Sequence, residues 1–195
     1  MDSTRRTFIV LVASLPLMGF LARYTKTEPA SLPPTPSCDD HDEPTPRQTE
    51  GPYFKPASPE RSSLLQPGLN GTKLILAGQV LNTDCQPVAK ALLDWWHCDS
   101  EGNYDNDGYT LRGHQYTDKQ GNFRLETIVP GLYPGRTRHI HVKVQAPGQP
   151  VLTTQLYFPE EAQNQGDGIF NEVLVMKTQK KADYLGAGYT FVLKA

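Results

Sequence analysis

"LYPGRTRHIHVKV", Leu132 to Val144, reads as a turn that runs straight into a β-strand. Pro134 and Gly135 supply the turn, because proline presets one backbone angle and glycine tolerates the left-handed region. In the strand half successive side chains alternate, so Ile140, Val142 and Val144 share one face while His139, His141 and Lys143 share the other. The aliphatic face needs a core to meet. A half-apolar strand of this kind belongs to a layered β-structure, and its imidazole face needs a separate reason.

The same period extends along the chain. "KLILAGQVL" from Lys73, "ALLDWWHC" from Ala91, "NFRLETI" from Asn122, "HIHVKVQA" from His139, "LTTQLYF" from Leu152 and "GYTFVLK" from Gly188 all read as strands. Turn signals such as "NTDCQP", "TDKQG" and "APGQP" separate them, and no segment sustains a helical period or repeats another. Seventeen prolines and sixteen glycines in 195 residues favour short strands and tight turns. An all-β fold, a β-sandwich, is expected. The length suits one core, and a formal net charge of -2 leaves no basic footprint for nucleic acid.

Residues 1–23 stand apart. "STRRTFIVLVASLPLMGFLA" joins Arg5 and Arg6 to an apolar run from Phe8 to Ala22, short for a spanning helix but suited to a signal core. The pattern resembles a twin-arginine export signal, which implies the twin-arginine export machinery as a partner and a periplasmic or extracellular destination. An uncleaved signal would leave a membrane tether. Residues 24–48, rich in Pro, Thr, Ser and acidic side chains, read as a linker, and residues 49–195 as the folded domain. Cys85 and Cys98 flank "CQPVAKALLDWWHC"; a bridge between them needs a bend, the alternatives being buried free thiols or a bridge using Cys38.

Two histidines at i and i+2 point the same way and can grip one metal ion, whereas a lone strand histidine is ordinarily a surface residue. The pair alone would also suit a cupin-like Fe(II), Mn or Zn site completed by a carboxylate. Two tyrosines stand in nearby turns: Tyr104 in "DSEGNYDN" and Tyr133 in "VPGLYPG". Phenols are normally neutral, but a hard trivalent cation can hold them as phenolates at neutral pH. Such a site would be a Lewis acid for oxygen anions.

"AGQVLNTDCQPVAKALLDWWHCDSEGNYDN" followed by "YTDKQGNFRLETIVPGLYPGRTRHIHVKVQAPGQPVLTTQLYF" resembles the intradiol ring-cleavage dioxygenases, the catechol 1,2- and protocatechuate 3,4-dioxygenase group, and in particular its small exported members. The resemblance spans about Thr49 to Phe158. It implies a prealbumin-like or immunoglobulin-like antiparallel β-sandwich with a non-haem Fe(III). Tyr104 and His139 would be equatorial ligands, Tyr133 and His141 axial ones. The implied reaction is cleavage of a catechol by O2 to a cis,cis-muconate, with Tyr133 also taking a substrate proton. Arg136 would stabilise negative charge developing on the ring, and Gln155 would orient a reacting group. Thr49, Gly51 and Pro52 of "TEGP" match a segment that lines the family's substrate pocket.

The remaining polar residues carry plainer readings. Tyr109, Tyr116 and Tyr157 are ordinary aromatics, Arg138 a solvated charge, and the acidic residues from Glu160 to Asp167 a solvated loop. Trp95 and Trp96 point to opposite faces, one to the core and one to a pocket wall. "PGRTR" is shorter than the loop of protocatechuate-type enzymes, and no amphipathic helical segment precedes the first strand, so an open pocket is expected; oligomeric state stays open. Three other functions compete: a non-catalytic prealbumin-like binding module, a cupin-type enzyme and an extradiol dioxygenase. Colour separates them, because tyrosinate bound to Fe(III) absorbs visible light and the alternatives are nearly colourless.

Overall fold

The computed structural model describes residues 43–194. Eight strands follow in order: β1 (Lys73–Asn82), β2 (Leu92–Trp96), β3 (Arg112–Tyr116), β4 (Asn122–Ile128), β5 (His139–Gln145), β6 (Leu152–Tyr157), β7 (Lys177–Lys180) and β8 (Leu185–Leu193). Short 3-10 helices at Ala162–Gly166 and Glu172–Leu174 interrupt the stretch between β6 and β7. The strands form two four-stranded sheets, ordered β4-β1-β8-β7 and β3-β2-β5-β6.

The core lies between the sheets because each has one apolar face. Leu74, Leu76 and Val80 of β1, Leu125 of β4 and Phe191 of β8 bury against Leu93 and Trp95 of β2 and Ile140, Val142 and Val144 of β5. The aliphatic side of β5 meets the core as its alternation requires. Five of the six strand pairings are antiparallel; β1 and β8 run parallel, with Leu74 opposite Leu185. No hairpin joins β1 to β8, so nothing local imposes the antiparallel direction on that pair.

Two strands carry no apolar alternation to betray them. β3, "RGHQY", puts Gly113 and Gln115 on the face opposite Arg112 and His114, and β7, "KTQK", is a polar edge strand. The expected linker also ends earlier than Gln48. Thr45 N donates to Val192 O, Thr45 Oγ1 accepts from Val192 N, and Gln48 N donates to Thr153 O, so strand backbones already satisfy this segment. The rest of the linker and the export signal lie outside the described residues.

Cys85 is disulfide-bonded, while Cys98 is a buried free thiol directed at Gly131 O, 3.5 Å away. The Cys85–Cys98 pairing is therefore corrected. Cys85 sits in the turn after β1 and Cys98 after β2, so the two belong to the ends of different sheets. Cys38 lies outside the described residues.

Candidate metal and active site

His139 and His141 stand on the face of β5 turned away from the core, yet both are buried, at 2% and 1% exposure. Strand register sets their neighbours. His141 lies opposite Trp96 of β2 and Gln155 of β6, and His139 opposite Tyr157. Trp96 stacks flat on His141, centroids 4.8 Å apart and planes within 7°, while Trp95 fills the core. The two tryptophans thus divide between core and site.

Three connecting segments cover this face. The first is a strap, residues 49–58. Gly51, at φ +69°, lays its backbone on His141, and a Cβ there would stand 3.5 Å from His141 Cε1. Gln155 Nε2 donates to Thr49 O, and Gly51 N donates to Thr49 Oγ1. Pro52, exposed, carries the strap on to Tyr53, whose ring stacks on Tyr104 at 4.2 Å. Glu50 pairs with Lys143 Nζ at 2.5 Å, and that ammonium also lies over the Phe54 ring. Those contacts account for the third residue on the histidine face of β5.

The second and third segments carry the phenols, and Asp99 ties them together. Its carbonyl accepts from Gly102 N and Gly131 N, and its Oδ1 accepts from Glu101 N and Asn103 N. Tyr104 and Tyr133 consequently face each other edge to face, centroids 5.8 Å apart. Arg112 braces the first loop from below: Nε donates to Asp105 O and Nη1 to Tyr53 O.

The donor atoms converge. His139 Nε2 lies 3.1 Å from His141 Nε2 and 3.3 Å from Tyr133 Oη. His139 Nδ1 lies 2.7 Å from Thr137 O, a carbonyl that can only accept, so Nδ1 carries the proton and Nε2 keeps its lone pair. Tyr104 Oη and His141 Nδ1 are buried without a hydrogen-bond partner. Burial, helped by Arg136, lowers His139 to about 4, and burial followed by the neighbouring His139 holds His141 well below its ordinary value. Burial raises both phenols, Tyr104 the more strongly. Two neutral imidazole nitrogens and two phenol oxygens suit a hard trivalent cation, which would ionise the phenols. Among the described residues no three of His, Cys, Asp or Glu form a metal-binding group, so the two-histidine-one-carboxylate set of a cupin or extradiol enzyme is not built here.

Arg136 borders this cluster. Nη2 donates to Gln155 Oε1 at 2.6 Å, Nη1 reaches Tyr133 Oη at 3.4 Å and Nε donates to Asp167 Oδ2 at 2.9 Å. Asp167 is 7% exposed and also accepts from the Thr137 and Ile169 backbone. Its reading as a solvated loop acid is corrected: it is the buried anchor of Arg136. Burial works against the charges of both partners, but the Thr137 and Ile169 backbone amides, followed by Arg136, keep Asp167 low, and the hydrogen bond to Asp167 keeps Arg136 high. Gln155 has both ends engaged, Nε2 with Thr49 and Oε1 with Arg136 and Tyr157. Its carbonyl and one amide hydrogen hold those groups in place.

Tyr157 and Arg138 also depart from their plainer readings. Tyr157 is fully buried beside His139, its hydroxyl bonded to Ile169 O and Gln155 Oε1, and its pKa is pushed up to about 12 by burial. Arg138 pairs with Glu161 at 2.5 Å and reaches Pro130 O. Tyr109 bonds Pro56 O, and Tyr116 is half exposed, as loop and surface aromatics do. Arg112, Asp167 and Tyr53 went unassigned as site residues. The aromatic ending "TEGPYF" is the available signal for Tyr53; Arg112, on a strand without apolar alternation, and Asp167, thirty-one residues from Arg136, have none.

A β-sandwich whose outer sheet face collects two imidazoles and two phenols defines a candidate metal-dependent oxygenase. A family model described as Dioxygenase matches residues 49–195, and the chain belongs to the intradiol ring-cleavage dioxygenase family. It is 31% identical over 148 residues to a catechol 1,2-dioxygenase of Candida albicans, covering 62% of this chain and 49% of that protein. It is 28% identical over 139 residues to a chlorocatechol 1,2-dioxygenase of Rhodococcus opacus, covering 56% and 54%. The chain spans about half the length of the curated relatives it matches. Among solved structures, the dioxygenase domain of a dioxygenase carbohydrate-binding protein fusion from Streptomyces sp. SirexAA-E is 52% identical with a TM-score of 0.77, over 78% of this chain and 99% of that one. The 3-chlorocatechol 1,2-dioxygenase of Rhodococcus opacus 1CP is 28% identical with a TM-score of 0.70, over 76% and 72%.

Proposed function

We propose that this chain is a non-haem Fe(III)-dependent dioxygenase that cleaves catechols between their hydroxylated carbons with O2, giving cis,cis-muconate-type products. The observation that carries the reading is the convergence of His139 Nε2, His141 Nε2 and Tyr133 Oη beside the buried, unpartnered Tyr104 Oη. Tyr104, Tyr133, His139 and His141 would hold the iron. When bound, ferric iron supplies a Lewis acid for the two catechol oxygens and an electronic path by which the ring reacts with O2.

The protein's share is positioning and charge. Of the two ligand phenols, Tyr133 also meets Arg136 and lines a pocket, and as a phenolate it can take a proton from the entering substrate. Arg136 keeps its charge at any working pH and directs both Nη groups inward, toward Tyr133 and Gln155, where negative charge gathers on the ring. Trp96 and the Gly51 backbone lie against the His141 ring and shield the imidazole from water. A visible spectrum of the iron-loaded protein tests the reading. A tyrosinate-to-iron band lost together with the metal in Tyr104→Phe and His141→Ala supports it; full iron occupancy and unchanged colour in both variants would refute it.

Export by the twin-arginine route belongs to the same proposal. It is supported by Arg5 and Arg6 ahead of an apolar run and by a disulfide at Cys85, which suits an oxidising compartment.

A further inference from the structure

We propose that Arg112 is a built-in counter-charge for the Tyr104 phenolate and tunes that ligand electrostatically. The inference rests on the reading of the site given above and assigns the site a further residue. Strand register puts Arg112 in the rung of the site: it lies opposite Trp96 of β2, which in turn lies opposite His141 of β5. Arg112 is 2% exposed, and its guanidinium carbon stands 5.9 Å from the centroid of the Tyr104 ring. The loop after β2 holds the two together, because Arg112 Nε donates to the carbonyl of Asp105, the residue next to Tyr104.

Taking an unpaired charge out of water is costly, so a buried guanidinium ordinarily has a carboxylate against it. Among the described residues no carboxylate forms an ion pair with Arg112. Its side chain donates to the carbonyls of Asp105 and Tyr53, and Nη2 is buried without a hydrogen-bond partner. The acids whose charge reaches it through space are engaged elsewhere. Asp105 accepts from the Asp107, Gly108 and Thr110 amides, and Asp94 accepts from the Ser58 hydroxyl. Bracing two carbonyls needs donors but no charge. The charge gains a match when Tyr104 binds a metal as phenolate, because an anionic ring attracts a cation more strongly than the quadrupole of a neutral phenol does. Tyr133 has the corresponding arrangement in Arg136, whose Nη1 reaches its Oη. Each ligand phenol then has a guanidinium of its own.

The test reads the tyrosinate-to-iron band of the iron-loaded full chain, at rest and without substrate. That transition carries negative charge from the phenolate toward the iron, so a cation beside the phenolate raises its energy. Arg112→Gln keeps amide donors for the Asp105 and Tyr53 carbonyls and removes the charge. Its band is expected at longer wavelength, by on the order of 10 nm, the scale of one unit charge acting over this distance inside a protein. Arg112→Lys keeps the charge and is expected to hold the band nearer its original place. A brace without an electrostatic role would move both variants alike, so equal shifts in the two, or no shift in Arg112→Gln, overturn the inference. Either substitution can loosen the loop, and the unaltered chain therefore supplies a second reading. Loading it with diamagnetic Ga(III) is expected to shift the guanidinium NMR signals of Arg112 and to leave those of Arg61, which binds the Arg112 and Tyr109 carbonyls, in place. Arg112 signals that stay put on loading overturn the inference. Iron-loaded unaltered protein without any tyrosinate band would overturn the reading of the site, and this inference with it.

Discussion

Gly131 presses its backbone against Gly102: a Cβ on Gly131 would stand 2.5 Å from Gly102 N and 2.6 Å from Ser100 O. Real side chains do not approach backbone that closely, so the loop of Tyr104 and the loop of Tyr133 meet only because neither has a side chain at the contact. Gly131→Ala is expected to force the loops apart, cost roughly 1–3 kcal/mol and weaken iron binding although no ligand has changed. Gly168→Ala, where a Cβ would meet nothing within 4 Å, is the control. Iron titration and denaturant melts of both variants decide it. Unchanged iron affinity in Gly131→Ala would mean that the phenols do not depend on this contact.

Arg136→Ala is expected to keep iron and still bind catechol, but to lose turnover by roughly two or more orders of magnitude, the effect of deleting one stabiliser of developing negative charge. Arg138→Ala breaks the pair with Glu161 and is expected to lower stability slightly and turnover little. Steady-state kinetics beside spectroscopic binding separates the two. A dispensable Arg136 with an essential Arg138 would reverse their assignment.

Asp167→Asn keeps the shape and removes the charge. All three groups that meet the Asp167 carboxylate are donors, namely Arg136 Nε, Thr137 N and Ile169 N, so the new amide must turn an N–H toward at least one of them. Turnover is expected to fall by about tenfold or more while the charge-transfer band of the resting protein stays in place, because no ligand is touched. Movement of that band would show that Asp167 acts on the ligands and not on Arg136.

His97 gives the fold a pH dependence. Burial lowers its pKa from 6.5 to about 4; Nδ1 faces Cys98 O and Nε2 faces Thr127 Oγ1, both at 2.7 Å. Between those two values the unfolded chain binds the proton and the folded one does not. Its contribution is therefore complete above about pH 6.5 and is lost as pH falls toward 4, a change on the order of 3 kcal/mol. His139 and His141 slope the same way in the metal-free protein. Denaturant unfolding of metal-free protein at pH 7 and pH 4.5 should show a smaller loss for His97→Gln than for the unaltered chain. Equal losses would remove His97 from the account.

Replacing Arg5 and Arg6 by Lys preserves charge and is expected to leave the protein in the cytoplasm, as read by cell fractionation. Export of that variant at the normal level would point to another route.

The strands that build the core were legible in the sequence because their alternation is a local signal. Ile140, Val142 and Val144 announce a buried face without reference to any other segment. β3 was not legible because its core-facing residues, Gly113 and Gln115, which lie opposite Trp95 and Leu93, are not apolar, so the strand shows no alternation. The ligand candidates were legible through motif order, since His139 and His141 share one strand and Tyr133 stands shortly before it. Asp167 was not, because its partner Arg136 is distant in sequence and an acidic residue in a glycine-rich loop looks alike whether solvated or buried. The cysteines failed differently: even spacing along one segment says nothing about which sheet each thiol joins.

The bonds between Thr45 and Val192 place the entry and the exit of the sandwich at one corner. A short artificial loop could join these two positions without crossing the structure. A circular permutant closed there and opened at the exposed Pro147–Gln149 turn is expected to fold with the β5 and β6 register intact. The order in which the strands are synthesised could then be changed without altering a single side chain around His139 and His141.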